Sequence, residues 1–583
     1  MMKIPGYTII ETLGSGGMAT VYKGIQDSLK RKVAIKIIHQ QLANQPFVLQ
    51  QFERESYIIA QLNHPHVIHV IDRGLLKDKT PYFVMEYLEG QDLAQLIHQG
   101  GLEINKKLEL LIQVCKALGY AHKNGVIHRD IKPANIFIDQ ENHAHVLDFG
   151  IAHFCDSHSK SSDNDMLMGT LAYMSPEQKL SSDNVTTLSD IYSLGVVMYV
   201  LFTGQKPTGN FANPSDLAAG INPILDEIIL SCLNHEPLNR PASADKVKDT
   251  LLKLLNGTHL KNDQKERAEQ GISSLKTGFA LLDVIKDEKH SAIYLYENRN
   301  DHNLLVIKKR PIWSKGFDET NLLKPLIHKH IAKIYGTSKN DRTYIIVMEY
   351  LNGGALQDRL IVATPWDESL RIIREICLGL AFAHQNNVLH GNLRPSNILY
   401  DENGLIKLTD FGLDEHYNDG TTKNWYKLQS EEKTKRTDVF STGIILYQLL
   451  TGTLPRWKNR LIEPTQKFDD LPDQLKNMVQ TMVNWSPMSR QSNMNQVLDE
   501  INTLLEYHLH LTMEEAKTQQ WEKQKAIENA QEQLRKAKQK KIIGRILGAS
   551  AIMGLIFLGI FYQEILSMFD QETTKISESN LIN

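Results

Sequence analysis

Two short stretches of the sequence contain side chains of the types that catalyse the transfer of a phosphoryl group. From Asp130 to Asn135 the sequence places an acid, a cation at Lys132 and an amide within six residues, and Asp148 follows in an Asp-Phe-Gly turn. A carboxylate can orient a hydroxyl group and accept its proton, while a second carboxylate and an amide oxygen can bind a divalent cation. Such a set suits phosphoryl transfer, which depends on positioning and charge neutralisation more than on covalent chemistry.

Nearer the N-terminus, the glycine-rich segment Gly14-Ser15-Gly16-Gly17 separates two predicted strands. A strand rather than a helix follows it, which argues against a dinucleotide-binding fingerprint. The glycines would let backbone N–H groups approach phosphates, and a plain glycine-rich turn is the alternative interpretation.

A lysine and a glutamate complete the candidate set. Lys36 ends a Val-Ala-Ile-Lys strand, and Glu55 lies in a later stretch with helical spacing. Glu55 could hold Lys36 over the phosphates by an ion pair, although a lone lysine is more often a surface residue.

These motifs occur in one order, and together they resemble a known family. Downstream of the glycine-rich segment and Lys36 come His128-Arg129-Asp130, Asn135, Asp148-Phe149-Gly150 and Ser175-Pro176-Glu177. The order and spacing resemble a eukaryotic-type (Hanks-type) protein kinase, and in particular the bacterial serine/threonine kinases, over residues 7–255. A bilobal α+β fold is what this resemblance implies.

The resemblance implies a role for each residue. Asp130 would orient the substrate hydroxyl and accept its proton, Lys132 would stabilise the moving γ-phosphoryl group, and Asn135 and Asp148 would hold Mg²⁺. Lys36, tethered by Glu55, would grip the ATP phosphates. The ATP-covering residues would be Leu13, Gly14, Ser15, Gly16, Gly17 and Val21.

Further positions follow from the same resemblance. Thr170 matches a residue that favours Ser/Thr substrates, Glu177 should pair with Arg240, and Asp190 should brace the catalytic loop. The serine-rich segment 155–165 lies where an activation segment belongs, so we expect autophosphorylation there, with Arg129 receiving the phosphate. A solvated serine-rich loop is the alternative.

After a polar linker at 256–271, the whole pattern recurs at 272–507. Lys308, Asn397 and Asp410 repeat Lys36, Asn135 and Asp148, and Glu319 repeats Glu55. The glycine-rich segment is replaced by residues 286–290, which include no glycine, and Asp130 is replaced by Asn392. An amide cannot act as a base near neutral pH, so the second copy resembles a pseudokinase. It could be a scaffold or an intramolecular regulator.

The C-terminal region changes character. We expect a charged juxtamembrane helix at 508–541, a transmembrane helix at 542–562 and a short extracytoplasmic tail at 563–583. Basic residues before the apolar stretch place the kinase domains in the cytoplasm. The alternative, a buried core helix, would need a further domain to cover it. A GxxxG spacing at Gly544 and Gly548 is compatible with a homodimer, although it lies at the membrane edge.

Length, net charge and cysteine content argue against several other classes of protein. The chain has 583 residues, a formal net charge of −3 and four cysteines, too many residues for a single core and too little positive charge to indicate a nucleic-acid partner. The cysteines form no CxxC pair, which argues against a disulfide framework or zinc site. The sequence therefore predicts a membrane-anchored, ATP- and Mg²⁺-dependent kinase of protein Ser/Thr residues. The alternatives are a kinase-like scaffold that binds partner proteins at the membrane and a small-molecule kinase.

Overall fold

The structure is a computed structural model of the whole chain. It describes residues 4–16, 19–40, 60–149, 171–181, 184–269, 278–288, 291–314, 316–360, 363–412, 425–428, 432–463 and 465–578. The chain forms two units, Met1–Asn502 and Thr503–Asn583, and the first unit contains both copies of the repeated domain.

The first copy of the domain begins with a five-stranded antiparallel sheet in the order β1-β2-β3-β5-β4. Its strands are β1 (Tyr7–Ser15), β2 (Ala19–Gln26), β3 (Arg31–Ile38), β4 (Val70–Leu75) and β5 (Pro81–Glu86). In β3, Val33, Ile35 and Ile37 are buried in one apolar cluster. Successive side chains of a strand point to opposite faces, so Lys36 lies on the face of the sheet opposite that cluster.

A helical lobe follows the sheet. Its elements are β6 (Gly90–Asp92), α1 (Leu93–Gln99), α2 (Ile104–Lys123), β7 (Ile136–Asp139), β8 (Ala144–Val146), α3 (Pro176–Leu180), α4 (Thr187–Thr203), α5 (Pro214–Leu217), α6 (Pro223–Cys232) and α7 (Ala244–Leu255). The central helix α4 is almost wholly buried. A capping box at Thr186 begins α4, and Gly204, with φ of 73°, ends it in the left-handed conformation.

The second copy of the domain repeats this topology. Its elements are β9 (Phe279–Glu288), β10 (Ser291–Asn298), β11 (Leu304–Pro311), α9 (Phe317–Leu323), β12 (Ile334–Lys339), β13 (Thr343–Glu349), α10 (Trp366–Gln385), β14 (Ile398–Tyr400), β15 (Ile406–Leu408), α11 (Lys435–Thr451), β16 (Trp457–Lys458), β17 (Leu461–Ile462), α12 (Gln466–Asp469) and α13 (Asp473–Met482). An α8 helix (Asn262–Glu269) precedes them. The sheet order β9-β10-β11-β13-β12 matches that of the first domain, so the internal repeat predicted from the sequence is confirmed.

Helix α8 lies inside the segment predicted to be a polar linker. Its residue Ala268 is fully buried against the second sheet, where it joins Tyr294 and Tyr296. The connection between the domains is therefore partly folded, although its sequence shows no apolar period.

The last helix, α14 (Met494–Glu578), covers the predicted juxtamembrane and transmembrane segments and the predicted tail as far as Glu578. Val497 and Ile501, in its first turns, are buried. Farther on, the stretch Lys517–Met568 includes a window long and apolar enough to cross a membrane, judged by length and composition. Its apolar side chains are exposed, including Phe557 at 72% and Phe561 at 63%.

Candidate active site

The predicted catalytic loop is held by one buried carboxylate. Asp190, at the start of α4, accepts hydrogen bonds from the backbone N–H groups of His128 (2.7 Å) and Arg129 (2.8 Å). His122, at the end of α2, lies 2.8 Å from the same carboxylate. Burial alone would raise the pKa of Asp190, but the contacts with His122 and His128 outweigh it and hold the pKa below its ordinary value. The predicted brace is confirmed.

Three predicted site residues meet at the end of this loop. Lys132 Nζ lies 2.7 Å from Asp130 Oδ2. Asn135 Nδ2 donates to the same oxygen at 3.0 Å and to the Asp130 carbonyl at 2.7 Å. Asn135 sits in the 3₁₀ turn Pro133–Asn135, which leads directly into β7. The carboxylate is thus fixed by a cation on one side and an amide on the other.

The strand lysine reaches the second acid. Lys36, only 8% exposed, places Nζ 2.7 Å from Asp148 Oδ1. Burial by itself would raise the pKa of Asp148, but the ammonium group of Lys36 outweighs it and lowers the pKa. Asp148 also adopts a φ of 60°, an uncommon conformation for a residue other than glycine. The structure therefore brings Lys36 and Asp148 together, and the predicted pairing of Lys36 with Glu55 lies outside the described residues.

The described residues of the glycine-rich segment belong to the antiparallel pair of β1 and β2. Gly16 N–H donates to the Ala19 carbonyl at 2.9 Å, and Val21 pairs with Lys36 across β2 and β3. An added Cβ atom would meet no heavy atom within 4 Å at Gly14, and only the Ala19 carbonyl oxygen, at 3.9 Å, at Gly16.

A buried ion pair connects Glu177 to Arg240 within the helical lobe. Arg240, whose side chain is fully buried, donates to both oxygens of Glu177 at 2.7 and 2.9 Å. Ser189 Oγ donates to Glu177 at 2.8 Å. Burial opposes ionisation, yet these partners lower the pKa of Glu177 to about 2. The predicted pair is confirmed.

The second domain has the same bracing carboxylate, but different side chains follow at the end of the braced loop. Asp438 accepts from the backbone N–H groups of His390 (2.9 Å) and Gly391 (2.8 Å). Where the first domain has a carboxylate, Asn392 Oδ1 accepts from Arg394 at 2.8 Å. Asn397 Nδ2 donates to the Asn392 carbonyl at 2.9 Å. The loop of the second domain therefore has the same backbone contacts as that of the first, but it has no ionisable acid at the position of Asp130.

The second acid of this domain is surrounded by donors. Lys308 Nζ lies 2.9 Å from each oxygen of Asp410 and 3.1 Å from Thr409 Oγ1. Arg310 lies 3.8 Å from Asp410 and is 5% exposed. The ammonium and guanidinium groups hold the pKa of Asp410 below its ordinary value despite burial. The equivalent of Arg310 in the first domain is Ile38.

A protein kinase domain model matches residues 7–274 and again residues 289–522. The chain belongs to the protein kinase family. Both the kinase domain with Asp130 and the kinase domain with Asn392 are therefore members of one family, as the repeated fold requires.

Several curated kinases are similar to the first kinase domain. The serine/threonine-protein kinase PknB of Mycobacterium tuberculosis is 37% identical over 270 residues, which are 43% of this chain and 43% of PknB. The probable serine/threonine-protein kinase PknB of Bifidobacterium longum is 35% identical over 275 residues, 43% of this chain and 40% of the relative. The chain therefore spans less than half the length of the curated relatives it matches.

Among solved structures, the kinase domain of Mycobacterium tuberculosis PknI is 26% identical, with a TM-score of 0.37. The match covers 43% of this chain and 97% of the PknI domain.

The predicted equivalence of Glu319 with Glu55 stays a prediction, because Glu55 lies outside the described residues. The sequence aligned Glu319 with Glu55 as a tether for the strand lysine. In the structure the Glu319 carboxylate lies against Gly412, where an added Cβ would stand 2.5 Å from Oε1, and Lys308 bonds to Asp410 instead. Gly412 has φ of 72°, so this contact requires glycine.

Other predicted residues lie outside the described part of the chain. They are Gly17, Glu55, Thr170 and the serine-rich segment 155–165, together with Glu431, a candidate partner of Arg490. Sequence reasoning also missed one site residue, Arg310. The signal was available, because residues i and i+2 of a strand share a face and Arg310 stands two residues after Lys308.

Proposed function

We propose that the chain is an ATP-dependent protein kinase that phosphorylates Ser and Thr residues, and that its first kinase domain carries out the reaction. The observation that carries the proposal is the placement of Asp130 between Lys132 and Asn135 at the end of a braced loop. The similarity to kinases named as serine/threonine-specific supports the substrate class.

Within this proposal, Asp130 orients the substrate hydroxyl and takes its proton as the oxygen attacks the γ-phosphorus. Lys132, 2.7 Å from Asp130, lies where it can balance the negative charge of the phosphoryl group in flight. Lys36 contributes a second positive charge for the phosphates that remain on the nucleotide. The hairpin residues Leu13 to Gly17, with Val21, cover the nucleotide, and Glu55 tethers Lys36.

Asn135 and Asp148 are the residues that would hold Mg²⁺. Their oxygens suit a hard cation. The amide nitrogen of Asn135 donates a hydrogen bond to Asp130, so its amide oxygen is the atom available to bind the cation. The described residues contain no cluster of three or more His, Cys, Asp or Glu side chains that could hold a metal ion. The nucleotide phosphates would therefore supply further ligands, and the bound cation would neutralise their charge.

Phosphorylation within residues 155–165 is the proposed activating step. Among the described residues, Arg129 Nη1 is buried and has no hydrogen-bond partner. A guanidinium group next in sequence to the predicted catalytic acid, with one nitrogen buried and unpaired, suits a phosphate better than a neutral partner. Mass spectrometry of active protein should find phosphoserine in this segment, and its absence would remove this step.

For the second kinase domain we propose a pseudokinase that regulates the first. Asn392 in place of an acid and the loss of glycine from residues 286–290 support the loss of catalysis. We also propose that residues 542–562 anchor the chain in a bilayer, with both kinase domains cytoplasmic and residues 563–583 outside. The apolar exposed surface of α14 supports this placement.

Radiolabelled ATP tests the activity directly. The chain, incubated with Mg²⁺ and protein substrates, should label Ser and Thr but not Tyr, and Asp130→Asn should not label them. Unlabelled substrates with the unaltered chain would favour the scaffold interpretation, and full activity in Asp130→Asn would exclude the proposed base.

A further inference from the structure

Arg129, which precedes the predicted catalytic acid Asp130, has an uncommon backbone conformation. Its φ is 69°, in the left-handed region, where a residue with a side chain needs support from its surroundings. The corresponding residue of the second kinase domain, Gly391, has φ of 63° and adopts it without a steric penalty. The domain with the acid thus has an arginine where the domain without the acid has a glycine, so contacts must hold this conformation in the first.

Both backbone polar groups of Arg129 are hydrogen-bonded. Its N–H donates to Asp190 at 2.8 Å, and its carbonyl oxygen accepts from Gln178 Nε2, also at 2.8 Å. The next N–H along the chain, that of Asp130, donates to His128 Nδ1 at 3.2 Å. The peptide that joins Arg129 to the acid is therefore held at its oxygen by Gln178 and at its nitrogen by His128.

His128 is fixed in the tautomer that this contact requires. Its Nε2 lies 2.6 Å from the Leu147 carbonyl oxygen, and its side chain is fully buried. Because a carbonyl oxygen can only accept, Nε2 carries the proton and Nδ1 is free to accept from the Asp130 N–H. Of the two groups that hold this peptide, Gln178 is the one that comes from beyond the Asp148-Phe149-Gly150 turn.

Gln178, which lies in α3, is itself fixed by Ser175. Its Oε1 accepts hydrogen bonds from the Ser175 backbone N–H at 3.1 Å and from the Ser175 hydroxyl at 3.0 Å. In return, its backbone N–H donates to Ser175 Oγ at 3.4 Å, which completes a capping box. Because Oε1 accepts twice, the amide nitrogen is the atom that faces the Arg129 carbonyl. The side chain therefore joins the start of α3 to the catalytic loop.

The second kinase domain is built differently at this position. Its sequence has no Ser-Pro-Glu motif before α11. The side chain of Lys433 lies against Gly391, where an added Cβ would stand 2.8 Å from Lys433 Cδ, and its Nζ donates to the Gly412 carbonyl at 3.1 Å. Glycine adopts a positive φ freely, and Asn392 cannot act as a base. The loop of this domain therefore does not need the contact that Gln178 makes in the first.

We propose that Gln178 is a positioning residue for phosphotransfer. By fixing the Arg129 carbonyl, it sets the direction in which the Asp130 carboxylate faces the substrate hydroxyl, while Asp130 itself takes the proton. Because Gln178 belongs to α3, the placement of the acid depends on the placement of this short helix. The inference rests on the proposed function, since it takes Asp130 as the base of the reaction.

Two substitutions of Gln178 separate this role from a contribution to local stability. Gln178→Glu keeps an oxygen for Ser175, and glutamate suits a capping box, but it has no N–H group for the Arg129 carbonyl. In the full chain in lipid nanodiscs, its kcat for a protein substrate should fall at least about tenfold, because small displacements of a catalytic group have large effects on rate. Its KM for ATP should not change. Gln178→Lys, which keeps a donor and loses the acceptor, should lose less of the rate.

Hydrogen exchange reports the contact independently of the reaction. In Gln178→Glu, the Asp130 amide should exchange about tenfold faster, whereas the amides of the buried helix α4 should exchange at the rate of the unaltered chain. Gln178→Lys should instead speed exchange in α3. Gln140→Glu, which adds the same charge at an exposed position, is the control and should match the unaltered chain in both measurements.

An unchanged kcat in Gln178→Glu, or a loss of kcat accompanied by faster exchange throughout α4, would overturn the inference. An equal loss of rate in Gln178→Lys would overturn it too. The phosphotransfer assay keeps the inference apart from the proposed function. If labelling depends on Asp130 but not on Gln178, only the inference fails. If the unaltered chain labels no substrate, the proposed function fails, and an unchanged exchange rate of the Asp130 amide in Gln178→Glu would then overturn the inference as well.

Discussion

Arg310 lies 3.8 Å from Asp410 in the second kinase domain, and both side chains are buried. The corresponding residue of the first domain, Ile38, is apolar. At this separation, two opposite charges attract by about 4 kcal/mol at an effective dielectric constant of 20. An arginine fixed beside Asp410 therefore competes with any divalent cation for this carboxylate. The two clefts thus differ at a position that has no predicted catalytic role.

Arg310→Ile, which copies the first domain, should let the second domain bind an additional Mn²⁺ ion in the presence of a non-hydrolysable ATP analogue. The reason is that the guanidinium group would no longer neutralise the negative charge of Asp410. Electron paramagnetic resonance of free Mn²⁺ gives the number bound per chain. Lys309→Ile is the matched control, because Lys309 bonds to the Arg267 carbonyl rather than to Asp410. An unchanged count in Arg310→Ile would contradict the role given to the arginine.

Asp130→Asn should lower the rate of phosphotransfer by at least about a hundredfold, since general base catalysis contributes on that order or more. The reverse change, Asn392→Asp, should leave the total rate unaltered, because the second cleft still lacks the glycines and keeps Arg310. Initial rates with radiolabelled ATP measure both. A gain of activity in an Asp130→Asn, Asn392→Asp double variant would show that the second domain needs only its acid.

Asp190→Asn should reduce phosphotransfer, because the amide can accept only one of the two loop N–H groups that the carboxylate accepts. Its counterpart Asp438→Asn should lower stability by a similar amount without a loss of rate. Hydrogen bonds to charged groups are worth about 1.5 to 3 kcal/mol each, so both effects should be measurable by thermal unfolding. Equal losses of rate in the two variants would refute a distinct catalytic role for the first loop.

Glu177→Gln should destabilise the first domain by about 3 to 5 kcal/mol at neutral pH, because it leaves the buried Arg240 without its charged partner. The pKa of Glu177 falls from 4.5 to about 2 on folding. The stabilisation of the folded state by the ionised Glu177 is therefore fully present above about pH 4.5 and is lost as the pH falls towards 2. Melting temperatures across this range should depend less on pH in Glu177→Gln. Glu236→Gln, at an exposed position, should match the unaltered chain.

Deletion of residues 542–562 should move the chain from the membrane fraction to the soluble fraction. These residues lie in the apolar part of α14, and about 20 such residues are needed to span a bilayer. Fractionation after carbonate extraction measures the distribution. A deleted chain that stays with the membrane would place the anchor elsewhere.

Much of the first site was predictable because its residues belong to ordered motifs. Asp130, Lys132 and Asn135 are close in sequence, so a short loop and one 3₁₀ turn are enough to assemble them. The pairing of Glu177 with Arg240 was predicted across 63 positions, because the motifs that carry the two residues place them in the same helical lobe.

The remaining features depend on contacts that no local pattern encodes. The hydrogen bond of Tyr350 to Asp249 joins two domains, and neither residue stands in a recognised motif. Helix α8 was missed because a polar helix with one buried alanine, Ala268, shows no apolar period. The contact of the Lys36 ammonium with Asp148 was not predicted either, because the two residues are 112 positions apart.

The short connection between the kinase domains has a consequence for how they meet. Gly257 begins it, with φ of 67°, so close to the second domain that an added Cβ would stand 2.4 Å from the Leu281 carbonyl oxygen. Because the two domains are joined in one chain, the surfaces through which they touch encounter each other at an effective concentration in the millimolar range. A separate copy of the second domain would have to reach that concentration to displace the attached one. The pairing is thus set within each molecule and is insensitive to the amount of protein in the cell.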